Sequence, residues 1–210
     1  MKNFISYICI LAFFLTGCAP RLTVEKKSDL QKQLEEMIKT DQIAASHWEN
    51  EWAAYKDSVF TQNKIRVENM FKEYGYLGFD LVGEDGSNNF WLIVQHCDKF
   101  PEFQKEVLKA MDKEVKQHNA DPNNYAYLYD RVQVNAGQKQ KFGTQLDYDV
   151  EKTGRAFPKY GLEDSVHIDE IRADYHLGPL KDYLNQMTIM HYEMNKERYE
   201  QMGITEPKVY

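Results

Sequence analysis

The sequence predicts one mainly α-helical domain of about six or seven helices, formally α+β because of a minor hairpin or extended element. Three observations predict it. Apolar residues recur at i, i+3, i+4 and i+7 over most of the chain, proline, glycine and small polar residues punctuate those stripes at helix-like intervals, and loose alternation is confined to residues 138–148.

Residues 1–17 are set aside before the fold is considered, because they have the parts of an export signal. Lys2 starts it and a mostly apolar run follows over 4–14, too short for a bilayer span of about 20 residues. The run ends in Leu15-Thr16-Gly17-Cys18, which looks like a bacterial lipobox, so Cys18 is expected to carry diacylglyceryl and palmitate after cleavage. The alternative is a cleaved secretory peptide with an incidental Cys18. The expected organisation is a signal peptide at 1–17, an acylated Cys18 and tether at 18–27, and a helical domain at 28–210. Removing the leader leaves 193 residues, 210 minus 17, enough for one sizeable core.

Losing Lys2 with the leader takes the formal charge from −7 to −8. An acidic chain without a basic run argues against nucleic acid as a partner and against electrostatic adhesion to anionic lipid. Membrane attachment is therefore expected through the acyl chains on Cys18, which places the protein in the cell envelope. Ala19 is not an aspartate retention cue, which in a Gram-negative host favours the outer membrane, facing the periplasm. With Cys9 in the leader and Cys18 acylated, Cys97 is the one free thiol, and no intramolecular disulfide is expected.

Ser28-Asp29-Leu30-Gln31 matches a capping box, and Leu30, Leu34, Met37, Ile38, Ala45, Trp48, Trp52 and Tyr55 continue one stripe, predicting a long helix bent near 40–44. Val67, Met70, Phe71 and Tyr74 predict a second helix over 62–74, ended by Gly75. Gly75, Gly78, Gly83 and Gly86 then predict a structured loop over 75–89. Phe90-Trp91-Leu92-Ile93-Val94 suits a buried strand or helix by periodicity, and the run into Phe100-Pro101 favours a helix. Pro101 and Asp121-Pro122 open two further helices. A small hairpin or extended loop is expected over 138–148 and a second loop over 154–162. A short helix capped by Asp164 or Ser165 follows, and Leu180, Leu184, Met187 and Met194 lie on a last long helix reaching about Met202.

The distinctive polar residues cluster between Phe90 and Gln145. His96 is either a general acid or base whose tautomer Asp98 fixes, or a polar group that with Gln95 satisfies carbonyls at a buried helix end. Asp130-Arg131 is either a charge pair that positions a ligand or a clamp on the following loop. Gly143-Thr144-Gln145 suits a sugar or peptide, and equally a tight turn. His96-x-Asp98 and His167-x-Asp169 are two-residue hints without a full ligand set, so neither a metal nor another cofactor is assigned. Cys97 beside an apolar helix flank is expected to be an inert buried thiol.

Trp91-Leu92-Ile93-Val94-Gln95-His96-Cys97-Asp98, Phe103-Gln104, Tyr127-Leu128-Tyr129-Asp130-Arg131, Gly137 to Gln140, Gly143-Thr144-Gln145 and Arg172 with Leu177 to Leu180 together resemble a bacterial family of domains of unknown function. The resemblance covers residues 74–183. It implies no activity, substrate or cofactor, but it marks Gln95, His96, Asp98, Gln104, Asp130, Arg131, Gln140, Thr144, Gln145 and Arg172 as belonging to a shared polar site. The leading expectation is a lipid-anchored envelope domain that binds a small molecule, glycan, peptide or envelope protein there. The alternatives are a hydrolase or transferase with His96 as acid or base and Arg131 with Gln145 on the substrate, and a structural envelope lipoprotein.

Overall fold

A computed structural model describes residues 22–47 and 49–210, so the expectations placed on the leader, Cys18 and Trp48 lie outside the described residues. The elements run α1 (Val24–Ser46), a 3-10 turn (Asn50–Trp52), α2 (Ala53–Tyr74), α3 (Phe79–Gln95), α4 (Pro101–Lys116) and α5 (Pro122–Asn135). They continue through β1 (Leu146–Tyr148), β2 (Ala156–Pro158), α6 (Ile168–Ala173), α7 (Leu180–Met194) and α8 (Lys196–Gln201). Helix α1 packs along α3 and α2, and α5 rests on α4 and α3. Leu34, Val67, Val94, Val107 and Leu128, one from each of the first five α-helices, meet in the main core. Ala156, Ile168, Leu180 and Leu184 form a smaller core under the hairpin.

The predicted stripe over 30–55 is two helices. Helix α1 begins earlier than the Ser28 capping box, inside the expected tether, because Thr23 Oγ1 accepts the Lys26 N–H at 3.3 Å. It stops at Ser46, and the chain turns through the 3-10 segment, with the His47 ring stacked on Trp52 at 3.7 Å. Helix α2 accordingly starts at Ala53 rather than at 62, and ends as expected at Gly75, whose φ of 76° lets its N–H reach Phe71 O.

The loop expected over 75–89 is instead the first part of α3. Gly83 adopts φ 70° and breaks the helix locally without ending it. Gln31 Nε2 of α1 donates to Val82 O at 2.9 Å and answers a carbonyl that the break leaves exposed. The start of α3 is capped from a distance: Asn119 O accepts the Phe79 N–H and Asn119 Oδ1 the Asp80 N–H, both at 2.9 Å. No residue next to position 79 announces that cap. Clustered glycines therefore suggested a loop where a remote asparagine supports a kinked helix.

Asp121 caps α5 through the Asn123 N–H at 2.8 Å, as its Asp-Pro start predicts. The expected hairpin is present, but it forms between the piece expected over 138–148 and the piece expected as a second loop over 154–162, with Asp147 opposite Phe157. The last helix is divided at Asn195, whose Nδ2 donates to His191 O at 2.9 Å, into α7 and α8. The divisions bring the described residues to eight α-helices and one two-stranded sheet. No helix among the described residues is long and apolar enough to cross a membrane.

Gly78 is needed for contact rather than for conformation: a Cβ there would lie 2.6 Å from Asn119 O, the backbone atom that caps α3. Gly78→Ala is expected to cost about 2 kcal/mol through that overlap, measured as a lowered chemical-denaturation midpoint with an unchanged slope.

Candidate functional site

Helix α3 ends at Gln95, and the next residue, His96, emerges between α1 and α2. Its Nδ1 lies 2.5 Å from Asp41 Oδ2 on α1, and its ring stacks on Phe60 of α2 with centroids 4.9 Å apart. Asp41 has no exposed surface. Its other oxygen accepts Asn63 Nδ2 at 3.2 Å, and Gln42 Nε2 reaches Oδ2 at 3.3 Å. A carboxylate at Nδ1 fixes the imidazole plane and leaves Nε2 as the reactive nitrogen. Asp41, not the predicted Asp98, orients His96.

Asp98 is engaged elsewhere. Arg131 Nε donates to its Oδ1 at 2.7 Å and Arg131 Nη2 to its Oδ2 at 2.6 Å, a side-on bidentate pair. Asn135 Nδ2 adds a bond at 2.9 Å and Gln104 Nε2 another at 3.3 Å, both to Oδ1. Burial raises the Asp98 pKa, but Arg131, Asn135 and Gln104 outweigh it and hold the carboxyl below its ordinary value. Gln104, itself buried, also donates to Val94 O at 3.0 Å and so answers the end of α3.

His96, Asp98 and Arg131 line one cleft of about 590 Å³, with Phe60, Phe100 and Lys99 among the other walls. Lys99 is paired with Asp57 on the rim. A more open depression of about 650 Å³ beside the hairpin, lined by Tyr148, Phe157 and Tyr210 among others, contains none of the predicted site residues. We therefore place the candidate site in the smaller, more enclosed cleft.

The remaining predicted residues form a second, separate polar group. Asp130 and Arg131 are not a pair, because consecutive helical side chains diverge by roughly 100°. Asp130 is turned into the protein, where it accepts the N–H groups of Lys141, Phe142 and Thr144 at 2.9, 3.1 and 2.8 Å and the Thr144 hydroxyl at 3.0 Å. Burial still raises its pKa above the ordinary carboxylate value, against the opposing pull of those donors. Gln140 Nε2 donates to Gln145 O and Lys159 O, both at 2.7 Å, and its Oε1 accepts the Gln145 N–H at 2.8 Å. Gln145 Nε2 donates to Thr144 Oγ1 at 3.2 Å. Arg172, nearly without exposed surface, donates to Phe142 O at 2.6 Å and Gly178 O at 2.7 Å. Asp130, Gln140, Thr144, Gln145 and Arg172 thus fasten the turn after α5 and do not line the cleft.

Gln95 is buried; with its oxygen turned inward it accepts from Leu128 N at 3.1 Å and Trp91 Nε1 at 3.3 Å. Burial pushes the Cys97 thiol up to about 12, and its Sγ donates to Ile93 O at 3.4 Å. That thiol is not a nucleophile at neutral pH. His167 pairs with Asp164 at 2.8 Å, and Asp169 Oδ1 accepts the Leu180 N–H at 2.8 Å at the start of α7.

Sequence reasoning missed Asp41, Asn63 and Phe60. A signal for two of them was available. Asp41 continues the series Leu34 and Met37 on the buried face of α1, and Asn63 precedes Val67 and Met70 on that of α2. A polar residue in an apolar slot has to find a buried partner.

Two predictions follow the division into two groups. Asp130→Ala strands three backbone N–H groups and is expected to cost about 3 kcal/mol, seen in denaturant unfolding and in faster hydrogen exchange at Lys141, Phe142 and Thr144. The lowered Asp98 pKa stabilises the folded state above the unfolded carboxylate value near 3.9, and that contribution is lost as pH falls through the depressed folded value. The stability gap between the parent and Asp98→Asn should therefore be fully open at pH 6 and close towards pH 2, and a gap independent of pH would contradict the Arg131 attribution.

One family, described as "Family of unknown function (DUF6624)", matches residues 28–194. Neither the comparison with curated proteins nor that with solved structures gives a match.

Proposed function

The chain belongs to the family of unknown function DUF6624, so no activity comes with membership, and we propose from the site itself that the helical domain binds a small molecule in the His96 cleft. The observation that carries this reading is an open polar atom on an ordered side chain. His96 is fixed through Nδ1 by Asp41 and through its face by Phe60, while Nε2 has no partner among the described residues. A histidine serving only to satisfy the end of α3 would spend its nitrogens on carbonyls. We further propose, from the Leu15-Thr16-Gly17-Cys18 segment alone, that acyl chains on Cys18 hold this domain at the envelope membrane. The lack of an aspartate at position 19 favours the outer membrane of a Gram-negative host, with the domain facing the periplasm.

A second reading, an acid–base hydrolase or transferase, is favoured by one specific observation, the buried Asp41 at 2.5 Å from His96 Nδ1. That arrangement supports proton transfer at Nε2, as a carboxylate does for any catalytic imidazole. The cleft wall offers Thr61 as a hydroxyl and no nucleophilic thiol, so this reading requires water or a bound hydroxyl as the attacking group.

The test is thermal unfolding of the full chain in detergent, screened against envelope metabolites, glycans, peptides and divalent metals, with His96→Ala alongside. A compound that binds the native state raises the midpoint by mass action. Stabilisation of the parent but not of His96→Ala is the expected result. Unchanged affinity with lost turnover in the variant would favour the enzyme. An unresponsive parent together with a less stable variant would assign His96 to the fold alone.

A further inference from the structure

We propose that the ligand of the His96 cleft carries an anionic oxygen group, a carboxylate or a phosphate, on a small apolar or aromatic body; this rests on the cleft being a binding site. The assignment comes from how Arg131 is used. A guanidinium has five N–H donors in a rigid plane. Asp98 takes Nε and one hydrogen of Nη2, along one side of that plane. The end edge, with one Nη1 and one Nη2 hydrogen, has no acceptor among the described residues. Arg131 nevertheless lines the cleft and keeps 28% of its side chain exposed.

The surrounding chemistry agrees. Lys99 and Arg131 bring cationic groups to the cleft wall, each beside the carboxylate it pairs with. His96 Nε2 donates to an anion when the ring is protonated, with Asp41 balancing the charge at Nδ1. Phe60 and Phe100 supply flat apolar wall for the rest of the molecule. A cation is disfavoured, because the Asp98 carboxylate in the wall already accepts four bonds from protein donors.

The probes are benzoate, phenyl phosphate and the neutral isostere benzamide, titrated into the 15N-labelled full chain in detergent while the Arg131 Nε–H resonance is followed. At least one anion is expected to bind and shift that resonance, with benzamide weaker by about tenfold or more. The tighter of the two anions distinguishes carboxylate from phosphate. Asp98→Asn removes the carboxylate that competes for the guanidinium and is expected to tighten the anion severalfold, whereas Arg131→Gln should abolish the preference over benzamide. If Arg131→Gln fails to fold, the Asp98→Asn result still decides: weaker anion binding overturns the proposal. Benzamide binding as well as benzoate, in a His96-dependent manner, removes the anionic assignment and leaves the cleft. Failure of all three probes removes both.

Discussion

A carboxylate with no exposed surface, Asp41, sets the constraint on which the site depends. Taking such a charge out of water costs several kcal/mol, and the cost is offset only by partners held in good geometry. Asp41 obtains them from three places in the chain: Gln42 beside it, Asn63 on α2, and His96 after α3. The interaction therefore ties the end of α3 to the first two helices. Its direction matters as much as its strength, because the oxygen that receives Nδ1 decides where Nε2 points. With Phe60 against the ring, the imidazole is constrained in plane and in rotation about its bond to the backbone.

The same end of α3 is held from the other side by different means. Gln104 reaches back from α4 to Val94 O, Gln95 O and Asp98, and Arg131 and Asn135 of α5 close on Asp98. Four helices thus converge where one terminates. Unpaired carbonyls at a helix end demand donors, and a cleft at such a place inherits polar walls as a consequence of folding. What distinguishes wall from fastening is whether donors remain after the fold is satisfied. In the turn after α5 the carboxylate and guanidinium are both committed: Asp130 accepts four bonds and Arg172 is buried on two carbonyls. In the cleft, Arg131 and His96 each keep an unused edge.

Helix content was legible wherever apolar spacing and a local start signal coincided, as for α5, where Asp121 and Pro122 are adjacent in sequence and cap directly. It was illegible where the supporting group is distant, as at Gly78 to Asp80, whose cap comes from Asn119, and at the Gly83 break, where the Val82 carbonyl is met by Gln31. Glycine marks a position of backbone freedom without saying whether a helix stops there or bends. The candidate site was half legible. His96, Asp98, Gln104 and Arg131 do meet, yet the chain neighbours Asp130 and Arg131 work in different places, since the helix turns one inward and the other towards the cleft. Asp41 was illegible because a single polar residue on an apolar stripe forms no polar run.

This difference bears on how the two polar groups should respond to change. A residue whose bonds all end within one turn, as with Asp130, acts by limiting the conformations of that turn, and its loss is felt as lost stability. A residue that fixes another side chain while staying out of the cleft, as with Asp41, acts on orientation, and its loss is felt first in what His96 can contact. Under the proposed binding role, stability and function are separable by position along the chain: fastening lies after α5, and the proposed chemistry lies where α3 ends. The two cleft side chains are each held by a carboxylate, Arg131 by Asp98 and His96 by Asp41, each across a helix boundary that hydrophobic packing fixes independently.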